Sequence, residues 1–72
     1  MKVYACPYTE NLGDIRIMIM DDPDCGGREV YYRIPEYPYV FAFGLPHGTT
    51  MFDCIHIARG NAERYAEVLF HE

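Results

Sequence analysis

The spacing of apolar residues changes at Thr49, and this change constrains the fold more than any other feature of the sequence. Before it, apolar residues alternate with others at period two in short runs, the pattern of strands with one face buried. After it, Met51, Ile55, Ala58, Ala62, Tyr65 and Leu69 follow one another at steps of 4, 3, 4, 3 and 4. Those steps place the six residues in one stripe along an amphipathic helix. Strands followed by a helical tail predict an α+β fold, a three- or four-stranded antiparallel sheet with a C-terminal helical segment packed on one face. Residues 1–72 suffice for a single small globular domain. Ordering costs about 1.5 kcal/mol per residue, so a core of this size leaves a net stability of only a few kcal/mol.

The strands read as follows. Lys2 to Tyr8 is the first, with Val3 and Ala5 on one face and Tyr4 and Cys6 on the other, ended by the polar turn Thr9-Glu10-Asn11. Pro7 cannot donate to a ladder and suits an edge position. Asp14 to Met20 is the clearest strand, with Ile15, Ile17 and Ile19 alternating against Arg16, Met18 and Met20; both of its faces end apolar, which places it centrally. Asp21 through Gly27 holds three acids, a proline and two glycines, and reads as a hairpin turn. Arg28 to Ile34 returns with Val30, Tyr32 and Ile34 on one side and Glu29, Tyr31 and Arg33 on the other. Pro35 and Pro38 then interrupt the ladder, Tyr39 to Phe43 resumes it, and Gly44-Leu45-Pro46-His47-Gly48 closes the β part.

In the tail, Thr50 with Asp53 three residues on resembles a capping box, with Asp shorter than the usual Glu. Gly60-Asn61 is the weak point. A glycine there costs about 1 kcal/mol relative to alanine, and it equally suits the end of one helix with Asn61 capping a second. Arg59-Gly60-Asn61 also suits a hairpin turn between strands Phe52–Ala58 and Glu63–Phe70. A helix, broken or continuous, is the preferred reading.

Eleven Asp and Glu against six Lys and Arg give a net charge of −5. The basic residues Lys2, Arg16, Arg28, Arg33, Arg59 and Arg64 form no run, so direct nucleic-acid binding is disfavoured. The surplus of acid suits a partner protein with a basic surface. No apolar stretch near Met1 is long enough for a signal peptide, and the longest, Tyr39 to Leu45, falls far short of the roughly 20 residues of a membrane span. A cytoplasmic protein with no membrane partner is expected. Cys6, Cys25 and Cys54 are odd in number and contain no CxxC, which suits reduced thiols rather than a disulfide framework.

Three groups of residues are candidates for function. Asp21, Asp22 and Asp24 lack the spacing of an EF-hand loop and read as a solvated hairpin tip able to meet a basic partner. Cys54 and His56 point about 200° apart on a helix, so the thiol is expected in the core and the imidazole outside it. Four of the seven tyrosines fall between Tyr31 and Tyr39. Tyrosine gives large contact area at low entropic cost, and Tyr31 and Tyr37 are the two expected to be at least half-exposed. Glu29 and Glu36 flank them, leaving no cationic groove of the kind a base-stacking platform needs. No phosphate loop, hydrolase elbow, metalloprotease pair or paired-carboxylate arrangement occurs, so neither enzymatic activity nor a cofactor is expected.

In size, charge and layout the chain is similar to the compact acidic inhibitors encoded by phages and mobile elements, among them the anti-CRISPR proteins. The resemblance implies an inhibitor that occupies a basic, nucleic-acid-binding surface of an effector. On that reading Asp21, Asp22, Asp24, Glu29 and Glu36 make the basic contacts, and Tyr31, Tyr37 and Tyr39 are the anchors. Two other readings belong to different classes. One is a small metal- or thiol-dependent domain using Cys6, Cys25, Cys54 and a histidine. The other is a homo-oligomeric structural subunit, its tyrosine surface paired with itself and an edge strand available to extend the sheet across a two-fold axis.

Overall fold

A computed structural model describes residues 7–22, 24 and 26–70. It contains strands β1 (Tyr8–Leu12), β2 (Ile15–Asp21), β3 (Arg28–Arg33) and β4 (Val40–Leu45), followed by helix α1 (Met51–Phe70). The strands form one antiparallel meander in the order β1-β2-β3-β4, and the helix lies across a single face of it. This is the α+β layout expected, with four strands. The helix packs chiefly over the two inner strands, β2 and β3, where both neighbours of each strand complete its backbone hydrogen bonds.

The first strand departs from its expected place. Thr9, Glu10 and Asn11 do not turn; they pair with Met18, Ile17 and Arg16. The turn is Gly13-Asp14, with Gly13 at φ 63° supplying the positive φ that a tight two-residue hairpin needs at its first position. Polar residues are tolerated in β1 because it is an edge strand. Thr9 and Asn11 face away from the helix, where the Arg16 guanidinium donates to Thr9 Oγ1 (3.2 Å) and Asn11 Oδ1 (3.0 Å). Residues 2–6 of the expected strand lie outside the described residues.

The β2–β3 hairpin is closed by Asp22 N–H to Gly27 O and Gly26 N–H to Asp22 O, both 2.9 Å. Between β3 and β4, Tyr37 N–H bonds to Ile34 O (3.1 Å) around Pro35-Glu36. Glu36 sits at φ 74°, the third position of a turn that normally takes glycine. The fourth strand begins at Val40 and runs on through Gly44 and Leu45. Its register slips between Val30 and Tyr31, since Val30 faces Phe43 whereas Tyr31 faces Phe41, leaving Ala42 as an extra residue. Phe41 and Phe43 would share a face in a regular strand. The bulge separates them, so that Phe43 packs on the core and Phe41 stays 49% exposed.

The tail is one continuous helix. Thr50 caps it, its Oγ1 accepting from Asp53 N–H (3.1 Å), and Asn61 does not cap a second helix but turns its amide back onto Ile57 O (2.8 Å). Gly60 is exposed and helical, with nothing near the place of a side chain. Gly60→Ala is therefore expected to stabilise the fold by about 1 kcal/mol. A raised urea midpoint at unchanged slope is the sign of it, and an unchanged or lowered midpoint contradicts it.

The core is Ile17 and Ile19 of β2, Val30 and Tyr32 of β3, and Cys54, Ala58 and Ala62 of α1, none more than 1% exposed. Met51, Ile55, Tyr65 and Leu69 complete the expected stripe at its half-buried margin. Ala58 and Ala62 have almost no side chain to interpose, so the helix backbone comes close enough for Tyr32 OH to donate to Ala58 O at 2.7 Å. Tyr32 also stacks on Tyr65 (5.9 Å between centroids) and tilts against Phe43 (6.4 Å). At the other margin, the Arg59 guanidinium forks onto both Glu10 oxygens at 2.8 Å and fastens edge strand β1 to the helix. Those hydrogen bonds hold the Glu10 carboxyl below its usual range.

Candidate functional site

The helix packs on one face of the sheet, and among the described residues no element covers the other, where Met18, Met20 and Tyr31 are half-buried and Phe41 is exposed. Strand alternation places Met18 and Met20 there from β2 and Glu29, Tyr31 and Arg33 from β3; Phe41, opposite Tyr31, joins them from β4. Tyr31 and Phe41 meet edge to face with centroids 5.6 Å apart, and Tyr31 OH donates to Glu29 Oε1 (3.1 Å). Arg33 lies over the ring of Tyr39, 5.2 Å from its centroid. The result is a methionine and aromatic patch with two arginines, Arg16 and Arg33, paired side by side at one end and Glu29 at the other.

The eight sequence-predicted contact residues fall in three places. Glu29 and Tyr31 belong to this open face, and Tyr39 reaches it through Arg33. The three aspartates gather at the β2–β3 hairpin. Asp21 is ion-paired with Arg28, Nε to Oδ1 3.1 Å, and Asp22 Oδ1 accepts from Asp24 N–H at 2.9 Å, so the carboxylates of Asp21 and Asp22 help to build the tip. Arg28 also donates to Thr49 O, and His47 Nδ1 lies 3.0 Å from Gly26 O, which ties the tip to the start of the helix around a cleft of about 430 Å³. Glu36 and Tyr37 sit at the opposite end of the sheet, in the β3–β4 connection, where Tyr37 meets Phe70 edge-on with centroids 5.5 Å apart. Acids and tyrosines thus do not converge on one spot.

The residues that sequence reasoning left out of the site are Met18, Met20, Arg16, Arg33 and Phe41. Met18 and Met20 alternate visibly with the isoleucines of β2, and an apolar second face marks a central strand as readily as a docking surface. Phe41 carries no such signal, because its exposure depends on the bulge.

Cys54 is fully buried in the core and His56 is exposed on the outer side of the helix, as the helical reading expects. Cys6 and Cys25 lie outside the described residues. Among the described residues no three metal-capable side chains come together, and no helix is long and apolar enough to cross a membrane. Compared with known proteins, the chain matches no family model, no curated protein and no solved structure.

Proposed function

We propose that this chain is a small protein-binding domain that docks through the open face of its sheet, with the acidic surplus carried elsewhere on the chain steering it to a basic partner. The observation that carries the reading is the face left without a covering element among the described residues, on which half-buried Met18, Met20 and Tyr31 and exposed Phe41 lie together with the helix packed on the opposite side. Methionine and tyrosine are the residues that supply adaptable and low-entropy contact area at interfaces. A net charge of −5 favours encounter with positive surfaces. Occupation of a basic nucleic-acid-binding surface, the inhibitor activity implied by the resemblance to phage-encoded anti-defence proteins, is the finer form of the same proposal.

The test is capture from a nuclease-treated bacterial lysate by the immobilised chain, followed by a salt gradient and titration of the partner so identified. A single basic partner retained in stoichiometric amount is expected. Tyr31→Ala with Phe41→Ala should weaken it at least tenfold, the scale of two lost interface anchors. Asp24→Lys, at an exposed tip position, should flatten the salt dependence. A partner held equally well by the double variant overturns docking through this face, and a chain that retains nothing overturns the reading as a whole.

A further inference from the structure

On its uncovered side strand β3 presents Glu29, Tyr31 and Arg33 in a row: acid, ring, base. Such a row is complementary to itself. Rotation by a half-turn about an axis across the strands at Tyr31 brings Arg33 of one copy over Glu29 of a second, Glu29 over Arg33, and the two tyrosines together. The same rotation sets Met18 of β2 over its counterpart, because Met18 and Tyr31 are register partners. We propose that the open face of this sheet pairs with the open face of a second copy of the chain, around that two-fold axis.

Charge on the face argues for this occupant. Arg16 and Arg33 are direct cross-strand partners, an arrangement of like charges that is unfavourable by itself. Among the described residues the ion pairs are Arg28 with Asp21 and Arg59 with Glu10, and neither Arg16 nor Arg33 is ion-paired with another of them. A second copy supplies Glu29 to that end of the sheet. Isologous contacts of this kind are the commonest route to homodimers. The sheet edges are poorer candidates, since Pro7 and Glu10 blunt β1 and the bulge blunts β4. Four strands about 4.8 Å apart and about 20 Å long give a face of only about 400 Å². That lies below the standard interface size, so exchange between monomer and dimer in the micromolar range is expected. The proposal does not rest on the heterologous partner proposed above.

The experiment is sedimentation equilibrium of the full chain from micromolar to millimolar concentration, with two charge-exchanged variants. Glu29→Arg sets two arginines over two arginines in its own dimer, and Arg33→Glu sets acids over acids. Each variant alone should self-associate at least tenfold more weakly than the original chain. An equimolar mixture should form a heterodimer, because the exchanged rows again match at both ends, and that recovery also shows that both variants fold. An original chain that stays monomeric to millimolar concentration overturns the proposal and leaves the face to a different partner. Self-association that neither exchange weakens overturns it equally.

Discussion

Tyr32→Ala is expected to abolish cooperative folding. The ring is fully buried between the sheet and the helix, touches Phe43 and Tyr65, and sends its hydroxyl to Ala58 O. Truncating an aromatic residue in such a place costs about 3–5 kcal/mol, as much as the whole net stability of a chain this small. The variant should show no thermal transition by circular dichroism and a collapsed amide chemical-shift range; a sigmoidal melt near that of the original chain contradicts the assignment of Tyr32 as the centre of the core. Tyr32→Phe isolates the hydroxyl. It keeps the ring, leaves Ala58 O with its helical partner, and should cost about 1 kcal/mol. The pair also predicts the alkaline limb of stability. Burial, and then the neighbouring Tyr65, push the Tyr32 hydroxyl up from 10.0 to about 12. A raised native value means that the folded state disfavours the phenolate. The contribution of Tyr32 is therefore fully present below pH 10.0 and lost as pH rises toward about 12. Urea midpoints measured across that window should fall more gently in Tyr32→Phe than in the original chain, and parallel slopes would contradict the burial of an ionisable group there.

Ala58→Leu has the second largest expected effect. Ala58 and Ala62 are fully buried, and their small size sets the distance between helix and sheet. Extra methylenes have nowhere to go between the helix and Tyr32, so the helix must lift, and the 2.7 Å hydroxyl-to-carbonyl bond breaks with it. Overpacking of about 1–3 kcal/mol combines with the loss of that bond, and a total of about 3 kcal/mol is expected. Glu63→Leu, on the exposed side of the same helix, should stay within about 0.5 kcal/mol. Equal effects at the two positions would mean that the alanines do not govern the approach of the helix.

The elements that carry one strong period were legible in the sequence. Ile15, Ile17 and Ile19 located β2 and its buried face, and the stripe from Met51 to Leu69 located the helix and the side it turns to the sheet. Cys54 was expected in the core on the helical reading although it stands outside the stripe. The beginning of the sheet was not legible, because Thr9, Glu10 and Asn11 have turn composition. Their place in β1 depends on partners outside the segment, Arg16 in the adjoining strand for two of them and Arg59, 49 residues on, for the third. The local sequence does not decide the continuity of the helix through Gly60 for a similar reason: packing of Ala58 and Ala62 outweighs a local preference of about 1 kcal/mol. Of the candidate surface, Tyr31 and Glu29 followed from alternation on β3, whereas Phe41 required knowledge of a one-residue slip in β4.

The meander order also has a consequence in time. Each strand pairs with the one made just before it, so the sheet can zip up stepwise as the chain is synthesised. Tyr32 and Glu10 cannot find their partners until Ala58 and Arg59 have been made, 26 and 49 residues later. Until then both sides of the nascent sheet present apolar side chains, and the helix, made after every strand it covers, is what gives the sheet an inside.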